Sequence, residues 1–153
     1  MFDFPCYSAY FLTMMKYRKL PENILNLLPG AVDFLRSHPK VIFSYLFGSL
    51  VRRHPSPLSD VDIAVYLKPD ANFAEYKLEI LGGLMDILQT DEIDLVILNT
   101  ADIPLVMNIV KAKEVIVDND SFERHRFESL AMRKYFDFSY KELGQLRRRY
   151  LHG

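Results

Sequence analysis

The chain has 153 residues, half of them hydrophobic, so it is long enough for one well-buried core and too short for two ordinary domains. Nineteen Lys and Arg stand against 20 Asp and Glu, a net charge of -1, which supplies no overall positive field for nucleic acid or an anionic membrane. The single cysteine, Cys6, excludes an internal disulfide framework and a Cys-based zinc cage. We therefore expect a cytoplasmic protein that makes no membrane contact and does not bind nucleic acid directly.

The first 20 residues are apolar and aromatic, but their order is unlike that of a secretory signal. Asp3 precedes the apolar stretch and basic residues follow it, whereas a signal peptide begins with positive charge. We expect residues 1–20 to be an N-terminal extension, either disordered or translated from an upstream start codon, with Met14 or Met15 as the functional start. The folded domain then spans residues 21–153.

Beyond the extension, the hydrophobic period alternates between helical and extended. Helices are predicted over residues 21–37, with an irregularity at Pro29-Gly30, over 73–88, over 100–113, with Thr100 as its cap, and over 121–150. Strands are predicted over residues 40–47, 60–67, 92–98 and 114–118. The order helix, strand, strand, helix, strand, helix, strand, helix predicts an α/β domain.

Two aspartates, Asp60 and Asp62, open the second predicted strand. Residues two apart on an extended strand point to the same face, so these carboxylates project together. Close anionic groups repel each other unless a cation lies between them. Mg²⁺ prefers hard oxygen ligands and takes substrate phosphates as further ligands. The pair therefore predicts a metal site at the mouth of an otherwise buried strand.

A third carboxylate, Asp94, lies in the next predicted strand between two apolar residues. Alternation puts it on the face opposite those neighbours. Asp91 and Glu92 are competing candidates, but Asp91 points to the other face of a regular strand and Glu92 lies near its exposed start. If the two strands are neighbours, Asp94 converges with the Asp60–Asp62 pair. Three such carboxylates can hold two metal ions for phosphoryl or nucleotidyl transfer.

The pair Gly48-Ser49 follows the first predicted strand directly. Glycine lets a phosphate approach the backbone, and N–H groups at a turn into a helix bind anions. Ser49 adds a hydroxyl donor, and Arg52, about one helical turn further on, adds a charge-assisted phosphate contact. Alone, a Gly-Ser turn or an Asp-x-Asp sequence is most often structural. Their combination predicts a nucleotide site.

A Gly-Ser pair is followed, after ten further residues, by an Asp-x-Asp pair that opens a strand. A helix and a strand carrying Asp94 come next. This order of motifs resembles the signature of the polymerase-beta-like nucleotidyltransferase superfamily. More specifically, the chain resembles the minimal nucleotidyltransferases of the MntA antitoxin type, from about Pro21 onward and into NTADIPLVMNIVKAKEVIVDNDSFERHRFESLAMRKYFD. One position departs from that family's pattern. Arg53 stands where a glycine often follows the arginine that matches Arg52.

The resemblance implies a nucleotidyltransferase fold, with a mixed sheet of about four strands backed by helices and a C-terminal helical segment. It implies transfer of AMP from ATP to a tyrosine of a HEPN-type ribonuclease toxin, with release of pyrophosphate, two Mg²⁺ ions as cofactors, and a hetero-oligomer with that toxin. Position by position, Asp60, Asp62 and Asp94 match the catalytic, metal-binding carboxylates. Gly48 and Ser49 match the triphosphate contacts.

Two other functions stay open at the level of the sequence. The protein could neutralise a toxin by binding and occlusion alone, or it could transfer a nucleotide to RNA or to a small molecule such as an aminoglycoside. All three carboxylates are present, which argues against a non-catalytic copy. The short chain leaves little for an acceptor-binding domain of its own, which favours a protein acceptor.

The C-terminal segment combines basic charge with aromatic residues. From residue 119 onward there are eight Lys or Arg against five Asp or Glu, and Leu143, Leu146 and Tyr150 suggest one apolar face. That face either packs on the chain's own sheet, as amphipathic helices normally do, or docks the toxin, because aromatic residues and arginines are enriched at interface centres. The run Arg147 to Arg149 could instead contact RNA.

Overall fold

The computed structural model describes residues 19–52 and 59–151. Along these residues four helices and four strands follow one another in the predicted order. The helices are α1 (Ile24–Ser37), α2 (Phe73–Leu88), α3 (Ile103–Ala112) and α4 (Ser121–Leu151), and the strands are β1 (Val41–Phe47), β2 (Val61–Leu67), β3 (Ile93–Ile97) and β4 (Glu114–Asp118). None of these helices is both long enough and apolar enough to cross a membrane.

The strands form one mixed sheet in the order β3-β2-β1-β4. β1 runs antiparallel to both β2 and β4, whereas β2 and β3 are parallel. A parallel pair needs a crossover connection, and α2 supplies it. The backbone N–H of Val61 donates to the carbonyl of Glu92 at 2.9 Å, which ties the beginnings of β2 and β3 together. The predicted α/β fold with a four-stranded mixed sheet is confirmed.

One face of the sheet is covered by α1 and α2 through a mainly aliphatic core. Ile80, Leu84 and Leu88 recur every four residues along α2 and are fully buried, which is the expected result of helical periodicity. The two helices approach closely at Gly83, where a Cβ atom would lie 2.3 Å from the ring of Phe34. Side-chain packing on this face therefore fixes the crossover that sets β3 beside β2.

The other face is covered by α3 and the first half of α4 through a more aromatic core. The rings of Phe43 and Tyr66 stack with centroids 4.8 Å apart, and Phe127 of α4 packs against Tyr66 at 4.9 Å. Val106 and Ile109 of α3 are buried in the same cluster. Aromatic pairs of this kind add stability beyond the area that they bury.

The first helix differs from the prediction in its start and its continuity. It begins at Ile24 rather than Pro21, and it runs unbroken through Pro29. A proline inside a helix removes one backbone hydrogen bond, but Ala31 and Leu35 on the following turns are buried against the core. Burial of these side chains holds the helix together across the proline.

The predicted cap of the third helix is wrong. The N-cap is Asp102, whose carboxylate accepts the N–H of Leu105 at 3.2 Å. Thr100 lies two residues earlier, and its hydroxyl donates to the carbonyl of Ile97 at 3.4 Å. Both residue types cap helices well, and Pro104 in the first turn sets the start beside Asp102.

The described part of the expected N-terminal extension consists of Lys19 and Leu20. Leu20 is buried in the core shared with α1 and α2. Residues 1–18 lie outside the described residues.

The C-terminal helix packs on the body of the protein through its first half only. Beyond it, Leu143, Leu146 and Tyr150 are 61%, 48% and 81% exposed. Of the two alternatives for this face, packing on the chain's own sheet is therefore wrong.

Candidate active site

The end of β1 and the two carboxylates of β2 and β3 lie in one row across the sheet. Phe47, the last residue of β1, pairs with Asp62, and Asp62 pairs with Asp94 in the parallel register of β2 and β3. Directly paired residues of neighbouring strands project to the same face. The predicted neighbourhood of the two strands is thus confirmed, and Asp94, rather than Asp91 or Glu92, is the residue beside Asp62.

The carboxylates differ in their exposure. Asp60 lies immediately before β2 and is half-buried, as is Asp62, whereas Asp94 is exposed. We name Asp60, Asp62 and Asp94 the carboxylate row. Within residues 19–52 and 59–151, no three acidic, histidine or cysteine side chains are grouped so that they alone could hold a metal ion. These side chains therefore form no preassembled metal cage.

The turn after β1 needs glycine for two reasons. Gly48 has φ +74°, a left-handed conformation that costs other residues about 1–2 kcal/mol. In addition, a Cβ atom at position 48 would lie 1.9 Å from Oδ2 of Asp62. The Asp62 carboxylate thus fills the space that a side chain at position 48 would need. The turn and the carboxylate row are packed against each other.

The hydroxyl of Ser49 is buried and has no hydrogen-bond partner among residues 19–52 and 59–151. Burying a polar group without a partner costs free energy, so native structures rarely contain one without a functional reason. A hydroxyl beside the Gly48 turn fits the role of donor to a phosphate oxygen.

Arg52 closes the turn with its backbone. Its N–H donates to the carbonyl of Gly48 at 3.4 Å, and this hydrogen bond closes a single helical turn. Arg52 is exposed. The predicted continuation into a helix, and with it Arg53, falls on residues 53–58, which lie outside the described residues.

A groove of about 490 Å³ borders the carboxylate row on the β3 side. It lies between α2 and α3 along β3, and Asp94 lines it together with Phe73, Lys77, Thr100 and Leu105. Sequence reasoning missed Lys77, because an exposed lysine on a helix carries no local sign that it faces a groove. The groove offers apolar walls, one cation and one carboxylate next to the row.

The donor set of the site fits Mg²⁺. The carboxylate row offers hard oxygen ligands of the kind that Mg²⁺ prefers, and the Ser49 hydroxyl, which has no hydrogen-bond partner among the described residues, lies in the adjacent Gly48 turn. Because the row alone forms no cage, Mg²⁺ at this site would take further ligands, such as water or substrate phosphates.

A second charged cluster lies between β1, β4 and α4, and no local sequence pattern predicted it. Glu128 accepts hydrogen bonds from the hydroxyl of Tyr45 at 2.7 Å and from Arg124 at 3.2 Å, and it also accepts one from Lys113. Arg124 in turn donates to Asp118 at 3.0 Å. We name these five residues the Glu128 cluster. It joins α4 to the sheet.

The surroundings of the Glu128 cluster shift its pKa values. Burial would raise the pKa of Glu128, but hydrogen bonds from Lys113 and Tyr45 outweigh burial and lower it. Burial and the hydrogen bond to Glu128 raise the pKa of Tyr45 well above its ordinary value. The folded protein therefore keeps Glu128 charged and Tyr45 protonated.

The sequence matches the family described as Polymerase beta, Nucleotidyltransferase, over residues 31–122, which is more than half of the chain. No curated protein matches the chain.

Several solved structures are similar to this chain over most of its length. One is a toxin-antitoxin with AMP-PNP, with 23% identity, TM-score 0.63, and coverage of 79% of this chain and 94% of that chain. Another is a mutant of the toxin-antitoxin MntA-HpeT, with 26% identity, TM-score 0.58, and coverage of 83% and 96%. A third is a tri-AMPylated HEPN toxin of Shewanella oneidensis in complex with MNT antitoxin, with 23% identity, TM-score 0.55, and coverage of 81% and 90%.

The matched range contains the Gly48 turn and the whole carboxylate row, and the likeness of fold extends on both sides of it. The chain therefore belongs to the polymerase beta nucleotidyltransferase family.

Proposed function

We propose that this protein is an antitoxin that transfers AMP from ATP to a tyrosine of a HEPN-type ribonuclease toxin. The observation that carries the proposal is the register that sets the Gly48 turn, Asp62 and Asp94 side by side across three strands. A phosphate-binding turn and a row of carboxylates in contact are what nucleotidyl transfer requires.

The similar structures support the same reaction. One holds AMP-PNP, an ATP analogue, and another contains an AMPylated HEPN toxin with its MNT antitoxin. In the MntA-HpeT mutant the two altered aspartates are two positions apart, which is the spacing of Asp60 and Asp62. The proposed partner is therefore a HEPN toxin, bound in a hetero-oligomer.

In the proposed reaction, the tyrosine oxygen of the toxin forms a bond to the α-phosphorus of ATP. The bond between the α-phosphorus and the bridging oxygen breaks, and pyrophosphate leaves with the electron pair. Asp94 orients the acceptor hydroxyl and takes its proton, because it is the exposed carboxylate of the row and faces the groove from which an acceptor can enter.

Asp60 and Asp62 hold the metal in this proposal, with Asp94 as the third carboxylate. When bound, two Mg²⁺ ions would favour loss of the acceptor proton and stabilise the charge on the leaving pyrophosphate. Asp60 and Asp62 are half-buried. Water therefore screens their negative charges less than it would on an exposed surface, which strengthens their attraction for the metal ions.

Ser49 and the backbone of the turn bind the triphosphate. The Ser49 hydroxyl gains the acceptor that it lacks in the protein alone, and Arg52 adds a positive charge at the exposed end of the same turn.

The experiment that tests this function uses the cognate HEPN-type toxin as substrate. With ATP and Mg²⁺, one molecule of this protein should inactivate many molecules of toxin, and intact mass spectrometry should show the mass of AMP added to each. Neutralisation that needs equal amounts of the two proteins and no ATP would support occlusion instead. AMP that appears on RNA or on a small molecule, with the toxin unchanged, would support the third function.

A further inference from the structure

The second half of α4 carries large apolar side chains that the described part of the protein leaves exposed. α4 has 31 residues and its one buried residue is Ala131, so about 30 Å of helix follows that residue. Large contiguous patches of exposed apolar residues usually mark interaction surfaces.

These side chains follow a strict spacing. Along one face of the helix, six residues are separated by four, three, four, three and four positions: Met132, Phe136, Ser139, Leu143, Leu146 and Tyr150. The five apolar ones are 41–81% exposed. This is the spacing of a and d positions in a coiled coil, where each side chain inserts between residues of a facing helix. We name these six residues the α4 seam.

The flanks of the α4 seam are basic. Residues 132–151 contain six Lys or Arg against two Asp or Glu. The e and g positions that border the seam include Arg133, Arg147 and Arg149, with Glu142 as their one acidic residue. Residues at these positions select a partner by opposite charge. The charge pattern therefore favours an acidic helix as the partner.

A second copy of this chain does not satisfy that pattern. Parallel pairing would match Glu142 with Arg147 but would gather two copies of the Arg147–Arg149 run. Antiparallel pairing would set the same run against Arg133 and Lys134. Like charges in contact oppose association. Residues 1–18 do not satisfy the pattern either, because they carry two basic residues and one acidic residue.

Nucleic acid would use only part of the surface. Single strands bind to aromatic rings and basic side chains, whereas Met132, Leu143 and Leu146 are aliphatic and lie in line with the aromatic positions. An aliphatic seam at coiled-coil spacing is typical of a protein helix as the occupant.

We propose that the α4 seam docks an acidic amphipathic helix of the protein that receives AMP. The identity of that protein rests on the proposed function, but docking through the seam requires neither ATP nor the carboxylate row. Docking would hold the acceptor on this enzyme, which has no separate acceptor-binding domain among its described residues.

The direct test uses a synthetic peptide of three heptads with Leu at a and d and Glu at e and g, and a matched peptide with Lys at e and g. Fluorescence anisotropy with the full-length protein should show binding of the Glu peptide, with the Lys peptide weaker by about tenfold or more. Replacement of seam residues, Leu143→Gln with Leu146→Gln, should weaken binding of the Glu peptide by about tenfold or more. The control is Leu151→Gln, at a leucine that is 72% exposed and lies outside the seam, and it should leave binding unchanged.

With the HEPN-type toxin as substrate, the seam variant should raise KM for transfer and leave kcat unchanged. Failure of the proposed function looks different, because then no variant transfers AMP at any toxin concentration. Equal affinity for the Glu and Lys peptides, or equal affinity of the seam variant and the wild type, would overturn the proposal. So would a dimer in sedimentation velocity that the seam variant disperses, or binding of a single-stranded RNA oligonucleotide that the seam variant loses.

Discussion

The carboxylate row and the Glu128 cluster are both groups of charged residues on the same sheet, and they differ in the charges that they bring side by side. In the Glu128 cluster each carboxylate meets a cation, since Glu128 contacts Lys113 and Arg124, and Asp118 contacts Arg124. In the row, Asp62 and Asp94 are paired side by side across two strands. Like charges directly opposite on neighbouring strands are destabilising.

The difference separates residues that hold the fold from residues that, in our proposal, perform the reaction. The Glu128 cluster is satisfied by the chain itself, so it contributes to stability whether or not a substrate is present. In the proposed reaction the row and the Ser49 hydroxyl would gain further favourable interactions when metal and phosphate are bound.

The largest expected effect is on the row. Asp94→Asn should reduce AMP transfer roughly 10²–10³-fold or more, as loss of one preorganised charged group does in other enzymes. The same change should leave stability unchanged or raise it by about 0.2–1 kcal/mol, because it removes a like charge beside Asp62. Initial rates and urea unfolding measure the two effects. Transfer at the wild-type rate would show that Asp94 takes no part in the reaction.

A methyl group at position 48 should disturb both the fold and the row. Gly48→Ala should cost about 1–3 kcal/mol of stability through its left-handed backbone, and it should also weaken ATP binding by displacing Asp62. Gly144→Ala is the matched control, because a Cβ atom there meets nothing within 4 Å and the residue lies in a helix, so stability should rise by about 0.5–1 kcal/mol. Normal ATP binding by the folded Gly48→Ala protein would show that the turn is not part of the nucleotide site.

Loss of charge in the Glu128 cluster should act on stability alone. Glu128→Gln should cost about 1.5–3 kcal/mol, the range for hydrogen bonds to a charged group, with transfer per folded molecule unchanged. The pKa of Glu128 is lower in the folded protein than its ordinary 4.5. Its contribution is therefore fully present above that pH and is lost as pH falls through the lower folded pKa.

Urea unfolding of both proteins across pH tests this sign. The gap in stability between wild type and Glu128→Gln should be constant above about pH 5 and should narrow below it. A gap that widens in acid would mean that the cluster does not stabilise the charged form of Glu128.

The smallest expected effect is at the buried hydroxyl. Ser49→Ala should weaken ATP binding by about 0.5–1.5 kcal/mol, the value of one hydrogen bond. It should not lower the melting temperature, because the hydroxyl has no partner in the described part of the protein. A lower melting temperature with unchanged ATP affinity would assign Ser49 to the fold.

The elements and the row were predictable because their signals are local. Helical and alternating periods predicted all eight elements of the described residues, and the alternation along the strands predicted that Asp94 would lie beside Asp62, which the register of β2 and β3 confirms. The cap of α3 was missed because Thr100 and Asp102 are equally able to cap a helix. The break expected in α1 did not occur because burial of later side chains outweighs one lost hydrogen bond at Pro29.

The Glu128 cluster could not be predicted from the sequence. Its members are up to 83 residues apart, and they meet only because β4 pairs with β1 and α4 crosses that pair. Nothing local to Tyr45, Lys113 or Glu128 marks them as neighbours. The groove residue Lys77 was missed for the same reason, since its neighbour Asp94 lies on a different element.

The most direct measurement of the central claim follows the label of ATP onto the toxin. With Mg²⁺, ATP labelled at the α-phosphate should transfer its label to the HEPN-type toxin, and ATP labelled at the γ-phosphate should not. The variant that combines Asp60→Ala with Asp62→Ala should transfer neither label, with circular dichroism showing an intact fold. Transfer of the γ label, or α label on the toxin at the wild-type level with the double variant, would contradict the assignment of AMP transfer to the carboxylate row.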